Sequence, residues 1–202
     1  MAKPTAINKI VWALDMRKII LSGGPSTGKS TTFELLRENY PDAYFVEEAA
    51  EIVIKNELEK QQNDSNYVPT MPVTNYKDFA PLVMAQQVAS EASIPEDAEL
   101  VFLDRCVIDN LGYLAHNGIE EFVQDVHRHA RAAGYTIAFF CDWLGKFEQT
   151  EIRRETEEQG LAVHTHLEAA YHSSTVPVIH LPAISVEERL TIIHSTLASP
   201  NL

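Results

Sequence analysis

Basic side chains are scarce in this 202-residue sequence: 16 lysines and arginines stand against 29 aspartates and glutamates, a formal net charge of −13. That imbalance excludes a broad surface for a long nucleic acid or an anionic membrane, although not a concentrated site for one small anion. Cysteine is nearly absent. The two present, Cys106 and Cys141, form no CxxC or metal-ligand spacing, which excludes a disulfide scaffold and suits a reducing compartment. No run approaches the roughly 20 apolar residues that span a bilayer. The apolar stretch Ile10 to Leu14 is short, meets Asp15 and lacks a small-residue cleavage site, so the expected location is the cytoplasm. What is present is ordinary: 45% apolar and 22% charged residues, the proportions of a soluble globular domain with a sizeable core.

Strand and helix signals alternate. Strands are expected at Lys18–Leu21, Ala43–Val46, Leu100–Leu103, Thr136–Phe140 and Val176–Leu181. Helices are expected at Ser30–Asn39, Ala49–Gln61, Tyr76–Ser93 (with Pro81 marking a kink or a later start), Asp109–His116, Ile119–Ala133, Lys146–Tyr171 (open to a break at Gly160) and Val186–Leu197. Gln62–Thr74, polar and carrying Pro69 and Pro72, is the candidate mobile loop. The pattern predicts an α/β fold, with a five-stranded parallel sheet covered by helices on both faces. One domain is expected over residues 16–202, with residues 1–15 as an N-terminal extension.

Glycine is also rare. Of eight glycines, three fall in Gly23-Gly24-Pro25-Ser26-Thr27-Gly28-Lys29-Ser30, which satisfies G-x-x-x-x-G-K-[ST] at every specified position and is followed by Thr31. In such a loop successive amides turn inward around an anion, leaving no room for Cβ atoms. The helix that follows aims unpaired N–H groups and its positive dipole end at the same phosphates. Lys29 is expected to reach the β- and γ-phosphates, and Ser30 to complete Mg²⁺ coordination. A strand before the loop and an amphipathic helix after it argue against a chance match.

Val101-Phe102-Leu103-Asp104 is an apolar strand ending in a carboxylate, which places Asp104 near Mg²⁺ or its water shell rather than as a mere helix cap. Arg105 can clamp a charged substrate or form a surface ion pair. Glu47 and Glu48 end the second strand, and alternation turns only one of them into the crevice, where it could bind or deprotonate an acceptor hydroxyl. Arg153 and Arg154 either close over the phosphates or pair with Glu157 and Glu158 along a helix. The pairs His164-Thr-His166 and His127-Arg-His129 are rejected as zinc ligands, because i,i+2 side chains on a helix diverge. An NKxD signature for guanine is absent, which leans the nucleotide towards ATP.

GGPSTGKS, FVEEAAEIV, VFLDRCVIDNLGYL, IRRETEE and IHLPAISVEER, in that order, resemble the AAA-like predicted ATPase/kinase family of P-loop NTPases, related to the NadR-type kinase domain of NAD metabolism. The resemblance covers about Arg17 to Leu197. It implies a kinase-type strand order with the Asp104 strand beside the first strand. It also implies that Glu48 is the acid after the second strand, Asp104-Arg105 the Asp-Arg pair and Asp109 a second acid of that motif. Arg153 and Arg154 become lid-like arginines, and Leu181-Pro182 the loop near the adenine base. Glu51 stands where many relatives carry a basic residue, which disfavours an anionic acceptor.

The combined expectation is an Mg²⁺-ATP-dependent phosphotransferase acting on an unidentified small, hydroxyl-bearing, nucleoside-like metabolite. Ser30 and Asp104 would organise the metal, Glu48 or Asp104 would take the hydroxyl proton, and Arg105 or Arg153/Arg154 would neutralise the transferring charge. The alternative is a slowly hydrolysing nucleotide switch whose responsive element is Gln62–Thr74. A ring-forming mechanical ATPase fits less well, since the length leaves little space for an added helical domain.

Overall fold

The computed structural model describes residues 16–145 and 156–199. The expected extension over residues 1–15, and Arg153 and Arg154, lie outside the described residues. The chain runs β1 (Arg17–Gly23), α1 (Lys29–Asn39), β2 (Tyr44–Val46), α2 (Ala49–Asn63), α3 (Tyr76–Ala92) and β3 (Leu100–Asp104). It continues through α4 (Val107–His116), α5 (Val123–Ala133), β4 (Ile137–Cys141), α6 (Glu157–His172), β5 (Val178–Leu181) and α7 (Val186–Leu197). The five strands form one parallel sheet in the order β2-β3-β1-β4-β5, so β3 flanks β1 as the resemblance implies.

The sequence of each strand matches its place. The central strands β3 (LVFLD) and β4 (IAFFC) are almost wholly buried, and their unbroken apolar runs suit a sheet covered on both faces. The edge strands β2 and β5 are short and partly exposed. Alternation divides the core. Ile20, Val101, Leu103, Ala138 and Phe140 pack beneath Ile108 of α4 and Val163, Leu167 and Tyr171 of α6. Ile19, Leu21, Phe102, Ile137 and Phe139 face Phe33 and Leu36 of α1 and Ile193 and Leu197 of α7. Helices α2 and α3 meet through Ala49, Val53, Phe79 and Val83, beyond the edge of the sheet.

Several boundaries differ from those expected. Helix α3 passes through Pro81 and α6 passes through Gly160, both without a break. Thr156 and Gln159 form a capping box that starts α6 at Glu157. Helix α5 begins at Val123 instead of Ile119, because Gly118 (φ +65) and the Ile119 amide, which donates to the Leu114 carbonyl, close α4 first. Residues 64–75 form a loop tied back to α2. The buried Glu57 carboxylate accepts from Tyr67 Oη (2.6 Å) and the Thr70 amide (2.8 Å), and it pairs with Lys60 (2.6 Å). Those bonds hold the Glu57 carboxyl down at about 2. No helix among the described residues is long and apolar enough to cross a membrane.

Candidate active site

The loop from Gly24 to Gly28 joins β1 to α1 at the carboxyl end of the sheet. Gly28 caps α1 in the left-handed region (φ +77), where a Cβ is strained, and no side chain caps the helix. Its first-turn amides are therefore available to an anion. Residues 24–31, with Arg105 and Leu144, line a cavity of about 320 Å³, into which the exposed Ser30 and Thr31 open. Close packing by the protein itself also demands glycine at two positions. A Cβ on Gly23 would lie 2.7 Å from the Cys141 carbonyl oxygen, and one on Gly24 would lie 2.6 Å from His164 Cβ.

Two side chains brace this loop from behind. Arg189 of α7, 1% exposed, donates from Nη1 to the Thr27 carbonyl (2.6 Å) and from Nε to the Pro182 carbonyl (2.8 Å). His164 of α6 accepts the Gly24 amide on Nδ1 (3.1 Å). Neither role is visible in the sequence. Arg189 stands among exposed glutamates on α7, and nothing local distinguishes a buried arginine from a surface one. Pro182 itself lies outside the lining of the phosphate-loop cavity, and its carbonyl accepts from Arg189, which also holds the Thr27 carbonyl of the loop.

Lys29, 5% exposed, pairs with Asp104 and with Glu48 Oε2 (2.9 Å). Arg105 Nε lies 3.2 Å from Glu48 Oε1, and its Nη1 donates to Asp109 Oδ1 (2.9 Å). Glu48 is thus the acid of its pair that turns inward, whereas Glu47 is exposed and pairs with Arg37 (2.6 Å). Burial opposes the charge on Lys29, but Glu48 and Asp104 prevail and raise its pKa. Burial also opposes charge on Glu48, and there Arg105 and Lys29 prevail, holding it well below the carboxylate range. At Asp104 burial wins despite Lys29, and the carboxyl is raised. One acid is fixed as an anion while its neighbour sits closer to taking a proton.

Arg105 has φ +66, unusual for a residue with a side chain. Its amide continues the sheet ladder to the Leu21 carbonyl (3.0 Å). Its side chain is held between Glu48, Asp109 and the ring of Tyr113, 5.5 Å from the guanidinium. Asp109 is more than a motif acid. It accepts from Ser22 Oγ (2.6 Å), Arg105, the Cys106 amide (2.9 Å) and Tyr171 Oη (2.6 Å), locking β1, α4 and α6 together.

On the far side of Arg105 lies a second cavity of about 170 Å³, lined by Glu48, Tyr76, Phe79, Gln87, Asp109 and Tyr113 among others. Arg105 lines both cavities. The aromatic lining from α3 escaped the sequence reading, since Tyr76 and Phe79 look like any helix core. The oxygen donors Ser30 and Asp104 are hard ligands of the kind Mg²⁺ takes, and they stand at the start of α1 and the end of the neighbouring β3. The donor chemistry fits that ion.

Residues 18–189 match a family model described as an AAA domain, and the chain belongs to that family. No curated protein matches it in sequence. Among solved structures it is similar to thymidylate kinase from Ehrlichia chaffeensis, at TM-score 0.62 and 13% identity over 90% of this chain and 98% of that one. Thymidylate kinase from Candida albicans gives TM-score 0.61 and 13% identity over 90% and 91%. Deoxyadenosine kinase from M. mycoides, solved with bound dATP, gives 0.61 and 13% over 91% and 100%. At that identity the likeness is one of fold, and the fold is that of the P-loop nucleotide kinases.

Proposed function

We propose that this AAA-domain protein is an Mg²⁺-ATP-dependent phosphotransferase whose acceptor is a small nucleoside-like molecule bearing a hydroxyl group. The observation that carries this reading is the pair of cavities meeting at Arg105: a phosphate-loop cavity on one side and an aromatic-lined one on the other. A nucleotide switch or simple hydrolase has no use for the second. Kinship with the NadR-type kinase domain is, on this reading, one of reaction class.

The loop amides and Lys29 bind the β- and γ-phosphates, Lys29 leaving its carboxylate partners as it does so. Ser30 and Asp104 would hold Mg²⁺, which would supply charge neutralisation at those phosphates. Glu48 lines the acceptor cavity and accepts a hydrogen bond from the attacking hydroxyl, aligning it with the γ-phosphorus. Little basicity is needed of it, because a loose phosphoryl-transfer transition state releases the hydroxyl proton late. After transfer that proton passes by way of Glu48 to the product phosphate, whose second ionisation lies at about pH 6. Arg105 stabilises the transferring charge from between the cavities, a role to which Arg153 and Arg154 would add their charge. Tyr76, Phe79 and Tyr113 give a planar base its stacking surface.

The test is transfer of labelled γ-phosphate from ATP to a panel of nucleosides and nucleoside monophosphates. A labelled product, lost in Glu48→Gln and reduced in an Arg153→Ala/Arg154→Ala double variant, supports the reading. ATP hydrolysis at an unchanged rate with every acceptor would overturn it.

A further inference from the structure

We propose that the junction of α6 and the edge strand β5 holds one transition-metal dication, zinc by its chemistry, on Glu168, His172 and His180. Each offers one ligand atom, and these atoms lie within 4.8 Å of one another. Glu168 and His172, four residues apart on α6, share one face of the helix. Glu168 Oε1 is 4.0 Å from His172 Nε2 and 3.9 Å from His180 Nε2. The two imidazole rings lie 26° from parallel with centroids 5.8 Å apart.

An independent feature points the same way. The other ring nitrogen of His180, Nδ1, is 2.7 Å from Asp142 Oδ1 at the end of β4. A carboxylate there fixes the tautomer, keeping the proton on Nδ1 and the Nε2 lone pair towards Glu168 and His172. This is the carboxylate–histidine arrangement that supports metal-bound imidazoles. Ligand atoms about 2.0–2.1 Å from tetrahedral zinc stand about 3.4 Å apart. The two spacings from Glu168 need closing by about half an ångström, and the one between the histidines, within 4.8 Å, by at most about 1.4 Å, which side chains 35–63% exposed achieve by rotation. The exposure also leaves the fourth position to water.

Two imidazoles and one carboxylate suit zinc and its first-row neighbours and disfavour Mg²⁺ and Ca²⁺, which prefer oxygen alone. The histidine pairs conspicuous in the sequence take no part: His164 is engaged with the phosphate-loop amide, and His166 meets His116. His172 and His180 are eight residues apart and on different elements, so no short motif announces them. Bound metal would clip the ends of β4 and β5 to α6, on the opposite side of the phosphate loop from the acceptor cavity.

The experiment is calorimetric titration of untagged protein with ZnCl₂ in excess Mg²⁺, with Co²⁺ absorption as a second readout. One Zn²⁺ per chain should bind, and one Co²⁺ should give tetrahedral visible bands. His172→Ala and His180→Ala should each weaken binding at least tenfold, and Asp142→Asn by about 10–100-fold. His127→Ala should leave it unchanged. Absence of zinc binding at micromolar protein would overturn the site, as would binding undiminished in both His172→Ala and His180→Ala.

Discussion

Lys29, proposed to bind the nucleotide, also supports the fold that carries it. With Lys29 removed, Glu48 and Asp104 lose the cation they share, and Glu48 keeps its pairing with Arg105. Breaking a buried ion pair costs about 3–5 kcal/mol, and Asp104, already raised towards protonation, brings the cost to the low end, about 3 kcal/mol. Lys29→Ala should therefore lower phosphoryl transfer by about 10²–10³-fold and visibly lower the denaturation midpoint. Kinetics and urea unfolding of the same variant check both, and an undiminished transfer rate would remove Lys29 from the site. Glu57 gives a pH prediction. Its folded pKa, about 2, lies below the unfolded value of 4.5, so its contribution is complete above about 4.5 and lost as pH falls towards 2. The stability gap between wild type and Glu57→Gln should be constant above pH 5 and close below it, followed by thermal unfolding across that range.

Contacts between elements account for what could and could not be read in advance. Helices α4 and α6 approach so closely at Gly112 that an added Cβ would lie 2.7 Å from Leu167 Cα, a backbone atom that cannot swing away. Alanine improves helix propensity by about 1 kcal/mol, but overpacking typically costs about 1–3 kcal/mol. Gly112→Ala should therefore be destabilising on balance. At the same junction, Tyr171→Phe leaves Asp109 with three of its four donors and should cost about 1.5–3 kcal/mol, with little loss of packing. Denaturant titration reads both. Strands β1, β3 and β4, the glycine loop and the Asp104-Arg105 pair were legible because their signals are local: apolar runs, fixed spacing, a carboxylate at a strand end. Gly112, Arg189, His164 and the aromatic wall of α3 were not, because each takes its meaning from a residue more than 25 positions away in the chain. The expected loop at Gln62–Thr74 was legible as non-helical beyond Asn63, but its tether to Glu57 joins polar residues that composition alone reads as solvated.

At the scale of the whole molecule, the proposed function asks a chain of charge −13 to bind a polyanion. Among the described residues lining the phosphate-loop cavity, attraction comes from the loop amides, Lys29 and Arg105, while the net acidic charge of the chain repels the incoming ligand. Most proteins that bind nucleotides or nucleic acids through basic surfaces bind more slowly as salt rises. Here moderate salt screens the repulsion, which acts over longer distances than the local attraction, so the association rate for MgATP should rise between 20 and 150 mM NaCl, about 1.5- to 3-fold. Chelating Mg²⁺ should weaken binding at least about tenfold. Stopped-flow with a fluorescent ATP analogue measures both, and a rate falling with salt would show that the local field governs the approach.

The strand order has a consequence in time. Strand β1 lies at the centre of the sheet, yet it is synthesised first, and its two neighbours end at Asp104 and Cys141. At about 5–20 residues per second, some 80 residues of synthesis leave the apolar edge of β1 unpaired for about 4–16 s before β3 can dock, and longer before β4 closes the other side. Such non-local pairing folds slowly and exposes a sticky edge meanwhile. The segment that will carry the phosphate loop is thus the part of the nascent chain most in need of a chaperone.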